Sequence, residues 1–67
     1  MTVGERIACL REARGLTREQ LAKEVGVTRQ MIYKYESNIT DPRLFIFTCI
    51  ADALKVSLDY LAKGDSK

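Results

Sequence analysis

Residues 17–36, TREQLAKEVGVTRQMIYKYE, constrain this chain more than any other stretch. Leu21, Ala22 and Val25 recur at i, i+1 and i+4 and make one apolar stripe of a helix. Thr17 stands before the stripe and Gln20 three residues after it, the spacing of a capping box that satisfies the unpaired amides of a helix start. Gly26 follows the stripe directly, where a helix ends most cheaply in a left-handed residue. Val27 leads into Thr28, a second cap. From there Met31, Ile32 and Tyr35 form an inner side, leaving Arg29, Gln30, Tyr33 and Lys34 on an outer one. With only Gly26 to Thr28 between them, the two helices cannot lie antiparallel along their length. They cross steeply, as in a helix-turn-helix.

The rest of the chain reads as three more helices. Thr2 caps a first helix from about Val3 to Ala13, with Glu5 in the first turn, as the helix dipole prefers. Val3, Ile7 and Leu10 are its buried stripe, Ala8 and Cys9 are exposed filler, and Arg14-Gly15 ends it. Ser37-Asn38 closes the second motif helix, Asn being the next best left-handed residue after Gly. Ile39 to Pro42 is a loop, since proline forbids helix at Asp41 and can open the next one. A fourth helix runs from about Arg43 to Leu54 on a core stripe of Leu44, Phe47, Ile50, Ala51 and Leu54. Ser57 caps a short fifth helix to about Ala62, with Leu58 and Leu61 inward and Tyr60 outward. Gly64 stops it, and residues 65–67 are a frayed end. The expected fold is all-α, five helices in a single domain over residues 1–67, and the opening Met and charged end suit a complete small protein.

Bulk properties narrow the function. At 67 residues the chain is near the lower limit for folding without staples. No apolar run approaches the ~18 residues of a membrane span, and no signal peptide opens the chain; the expected location is the cytoplasm, at the nucleoid. The chain has no histidine, and Cys9 and Cys49 make no metal pattern, so both are expected as reduced thiols, with no metal and no cofactor. With no phosphate-cradling glycine loop either, the chain does not read as an enzyme, and no small-molecule substrate is expected. Net charge is +2. Residues 1–36 carry the excess, seven cations against five acids, while residues 37–67 hold four of each.

The motif resembles the phage repressor and Cro-type (XRE-like) helix-turn-helix family. The matching residues are Leu16-Thr17, Glu19, Leu21-Ala22, Val25-Gly26-Val27, Ile32 and Tyr35-Glu36. The likeness extends to Gly4-Glu5-Arg6-Ile7, Leu10-Arg11, Arg14-Gly15, Pro42, Ile50 to Leu54 and Val56 to Asp59, so it covers roughly residues 3 to 62. The resemblance implies a compact, lambda-repressor-like DNA-binding domain. It further implies a transcriptional regulator, a repressor in the first instance, reading double-stranded operator DNA. The recognition helix enters the major groove with its early residues against the bases.

Carried over position by position, the resemblance puts Arg29, Gln30 and Lys34 at base-contacting positions, with Tyr33 at their edge. Thr17, Arg18, Thr28, Arg11 and Arg43 are the implied phosphate contacts, the threonines through helix N-termini. Arg11 and Glu36 are implied to form an ion pair that ties the first helix to the recognition helix. The chain departs from the family at Ile39 and Asp41, where many relatives carry lysine or arginine.

Phe45, Ile46 and Cys49 extend the apolar surface of the fourth helix beyond one core stripe. With Tyr60 they are expected to form a symmetric homodimer contact, which sets two heads on a palindrome with half-sites about one helical turn, ~34 Å, apart. The competing expectation is a protein-interaction module, antitoxin-like or a regulator's partner, built on the same fold. Substitution of Arg29, Gln30 and Lys34 separates the two.

Overall fold

The computed structural model describes residues 1–64. Its helices are α1 (Val3–Ala13), α2 (Arg18–Val25), α3 (Arg29–Glu36), α4 (Leu44–Leu54) and α5 (Leu58–Lys63). The expected frayed end, residues 65–67, lies outside the described residues. No strand is present among the described residues, and no helix is long and apolar enough to cross a membrane.

Side-chain caps set most of the helix starts. Thr2 and Thr17 each form a capping box, with Glu5 and Gln20 respectively, and Thr28 and Ser57 accept from Met31 and Tyr60 amides. Each cap satisfies an amide that the helix cannot pair internally. Gly26 ends α2 at φ 92, ψ 28, a left-handed conformation that turns the chain sharply into α3.

The core is Ile7, Leu21, Ala22, Val25, Ile32, Tyr35, Ile50, Ala51, Leu54 and Leu61, drawn from all five helices. α2 packs on α3 and α4, while α1 packs on α3, α4 and α5. The pair α2–α3 is therefore backed by α4 on the α2 side and α1 on the α3 side, with α5 braced against those two, and cannot change angle without disturbing the core.

Three expectations need correction. Arg43 is the cap of α4 and not its first helical residue. Leu44 is 74% exposed: it occupies the first helical position, beyond the reach of the core stripe, which begins at Phe47. Leu58 is likewise exposed at the first position of α5, where Leu61 alone is buried. At the end of α4 it is Lys55, not a glycine, that takes the left-handed conformation, at φ 62. Both cysteines are free thiols, Cys9 exposed and Cys49 partly buried.

Candidate nucleic-acid interface

α3 is split cleanly between two environments. Ile32 and Tyr35 are buried and Met31 is half-buried against the core. Arg29, Gln30, Tyr33 and Lys34 are exposed. This follows from the helical period, which puts 32 and 35 inward and therefore 29, 30, 33 and 34 outward.

An open cleft runs between the start of α2 and this outer face. Thr17, Arg18 and Glu19 line one wall, Arg29, Gln30 and Tyr33 the other, and Arg11 of α1 also lines it. Three arginines, Arg11, Arg18 and Arg29, are set against Glu19 and the neighbouring Glu36 and Glu12, the last 3.6 Å from Arg11, so the surroundings are balanced in charge. Thr28 lines an adjoining depression together with Arg29 and Lys23. Lys34 is exposed on α3 but lines neither hollow. Arg43 is exposed at the start of α4, apart from the cleft, and makes no ion pair among the described residues.

Beside the cleft, Glu36 ties three helices together. Arg11 Nε donates to Glu36 Oε2 at 2.6 Å, and Arg11 Nη1 donates to the Leu16 carbonyl at 2.8 Å. Arg18 Nε donates to Glu36 Oε1 at 2.8 Å. The Glu36 side chain is 3% exposed and that of Arg11 9%, so this pair is dry; Arg18, at 47%, is half in solvent and bonds Glu36 through Nε. A dry pair contributes little net stability, because desolvation offsets the attraction, but its geometry is specific. Here it fixes α1, the start of α2 and the end of α3 relative to one another.

Arg18 makes a second contact that the sequence did not reveal. Its guanidinium carbon lies 5.4 Å from the centroid of the Tyr33 ring, within cation–π range and worth about 0.5–1 kcal/mol at an exposed site. Eighteen residues separate Arg18 from Glu36, so no local spacing marked either interaction.

The apolar candidates divide. Phe45 is 72% exposed and Tyr60 is also exposed. Ile46 and Cys49 are partly buried and pack against the chain's own core. Leu44 and Ile39 are further exposed apolar residues.

A crossed helix pair, held by a dry ion pair and carrying an outward polar row on its second member, defines a helix-turn-helix domain. The chain belongs to the helix-turn-helix family, whose match spans residues 7–61. It is 40% identical over 62 residues to an uncharacterized HTH-type transcriptional regulator of Rickettsia prowazekii, covering 92% of this chain and 48% of that protein. It is 38% identical over 61 residues to the SPbeta prophage-derived regulator YonR of Bacillus subtilis, covering 91% of this chain and 56% of the relative. The chain thus spans about half the length of these relatives. Among solved structures, the P22 c2 repressor protein (Salmonella phage P22) in complex with a synthetic operator superposes with a TM-score of 0.94 at 35% identity, covering 97% of this chain and 98% of that one. The five-helix, repressor-like fold expected from the sequence is borne out.

Proposed function

We propose that this chain is a sequence-specific DNA-binding transcriptional regulator, acting as a repressor, that reads a palindromic operator in the major groove as a homodimer. The observation that carries the reading is the outward row Arg29, Gln30 and Lys34 on a helix whose frame superposes on an operator-bound repressor at TM-score 0.94. An α-helix fits the major groove, where each base pair presents its own pattern of donors and acceptors. Arg29 is suited to a forked bond to guanine, Gln30 to one with adenine, and Lys34 to an acceptor further along the groove. Thr17, Arg18, Thr28 and Arg43 are assigned to phosphate, which positions the domain without reading sequence. Arg11 serves mainly as frame, through Glu36, and offers phosphate only the edge that reaches the cleft.

One head with three or four base contacts discriminates too little for a genome. A second copy doubles the contacts and demands a palindrome. The exposed Phe45, with Leu44 beside it and Tyr60 on α5, is assigned to that contact.

Selection of random duplexes by the purified protein, read by sequencing, tests the proposal. The expected result is a palindrome with half-sites about one helical turn apart. Recovery of no preferred duplex overturns it and favours a protein-binding module on the same scaffold.

A further inference from the structure

The Arg18–Tyr33 stack lies inside the cleft and the frame does not need it. Glu36 is already neutralised by Arg11 at 2.6 Å. Arg18 nonetheless bonds the same carboxylate at 2.8 Å and places its guanidinium over the Tyr33 ring. Tyr33 lies three and four residues after Gln30 and Arg29, so the three share one face of α3, and all three line the cleft. Tyr33 is 49% exposed, although a tyrosine at an outer helical position has no packing reason to be there. One of its faces is covered by a cation, which leaves the other face and the edge as an apolar surface of fixed direction. In the major groove the apolar group that projects from a base edge is the thymine 5-methyl.

We propose that Arg18 and Tyr33 form one reading unit, in which Arg18, held by Glu36, positions the Tyr33 ring against a thymine methyl. Tyr33 makes the contact, and Arg18 is a positioning residue whose outer nitrogens remain available to phosphate. The inference rests on the operator-reading function proposed above. It makes that function's sequence preference depend on a side chain from α2 as well as on α3.

The test starts from the duplex that the wild-type protein selects. Each thymine is replaced in turn by deoxyuridine, which removes only the methyl, and dissociation constants are measured for wild type, Tyr33→Phe, Tyr33→Ala and Arg18→Lys. Circular dichroism checks that each variant is folded. In wild type, one thymine per half-site is expected to show a weakening of about 3- to 5-fold, the size set by burying one methyl. Tyr33→Phe keeps that penalty and Tyr33→Ala abolishes it. Arg18→Lys keeps a cation for phosphate but loses the planar stack, so its penalty falls towards 1-fold. The fold-ratio cancels any general loss of affinity and so isolates positioning from charge. A wild-type protein indifferent to every deoxyuridine overturns the inference, as does a penalty that survives Tyr33→Ala. A penalty lost in Tyr33→Phe also overturns it, since the hydroxyl is then the contact. A penalty kept in full by Arg18→Lys removes the positioning role. Failure to select any duplex instead defeats the operator-reading function itself, so the two failures are distinguishable.

Discussion

The side-chain oxygen of Asn38 accepts a hydrogen bond from the backbone N–H of Gly4 at 3.1 Å, so a residue two beyond the end of α3 caps α1. Asn38 Nδ2 donates in turn to Thr2 Oγ1 at 2.9 Å, the same oxygen that accepts from the Glu5 amide. A left-handed turn at φ 61 and a helix start thus share one small polar network.

That network decides the sign of a substitution. On backbone preference alone Asn38→Gly is stabilising, because glycine adopts positive φ without cost. On the wiring it is destabilising, because the Gly4 amide loses its partner and a part-buried donor left unpaired costs about 1–3 kcal/mol. We expect a net loss of about 1 kcal/mol and a melting temperature lower by roughly 4–8 °C. A higher melting temperature in calorimetry returns the position to an ordinary turn.

Gly4 and Gly26 fail for different reasons when given a side chain. A Cβ on Gly4 meets the backbone carbonyl oxygens of Tyr35 and Glu36 at 2.5 Å, and neither can step aside without moving the end of α3. At Gly26 nothing lies within 4 Å, and only its φ of 92 is at issue. Gly4→Ala is therefore expected to cost at least 1–3 kcal/mol, the usual range for overpacking. Gly26→Ala costs about 1 kcal/mol, and Gly26→Asn less, since Asn tolerates the left-handed region. Denaturant titration ranks the three; Gly4→Ala as mild as Gly26→Asn contradicts the close approach of α1 to α3.

These two cases show what was legible in the sequence. The capping boxes Thr2–Glu5 and Thr17–Gln20, the turn at Gly26, and the stripe Phe47, Ile50, Ala51 and Leu54 are relations across a few residues, which periodicity and cap chemistry expose directly. Leu44 continues the helical period of that stripe yet lies one turn past the point where the core ends. The left-handed turn at Asn38 was legible too, but the side-chain partners of Gly4, Asn38 and Arg18 were not, since they lie 15 or more residues away. The candidate contact row on α3 was readable for the opposite reason: once Ile32 and Tyr35 face inward, helical geometry leaves no other face for Arg29, Gln30 and Lys34.

Glu36 and Arg18 share a hydrogen bond, yet their removal is expected to differ several-fold in cost. Glu36→Ala leaves the Arg11 guanidinium in a site where its side chain is 9% exposed, the situation in which breaking a buried pair costs about 3–5 kcal/mol. Arg18→Ala removes a side chain that is 47% exposed, where an ion pair contributes about 0–1 kcal/mol. Glu36→Ala should therefore be largely unfolded at moderate denaturant while Arg18→Ala stays close to wild type. Equal costs in urea titrations contradict the division of labour between the two arginines.

Phe45→Glu examines the proposed homodimer contact. The side chain is 72% exposed, so the fold should tolerate a charge there to within about 0.5 kcal/mol. Association should not, because two copies of the charge face each other across a two-fold axis. The expected outcome is a folded monomer by light scattering, with weaker binding to the full palindrome and unchanged binding to a single half-site. A variant that still dimerises places the contact elsewhere on the surface.

Arg43 and Arg29 separate positioning from reading. Arg43 stands apart from the cleft, exposed at the start of α4, with no ion pair among the described residues to hold it. If it meets phosphate, Arg43→Ala weakens binding to all duplexes alike, and the slope of log affinity against log salt flattens by about 1. Arg29 opens the exposed row of α3, and its fork suits one guanine. Arg29→Ala should then cost about 1–3 kcal/mol on the selected duplex and almost nothing on one altered at the base pair it reads. Competition binding at two salt concentrations measures both effects on the same set of duplexes. A uniform loss from Arg29→Ala moves that side chain from base edge to backbone and shifts the reading of the site onto Gln30, Lys34 and Tyr33.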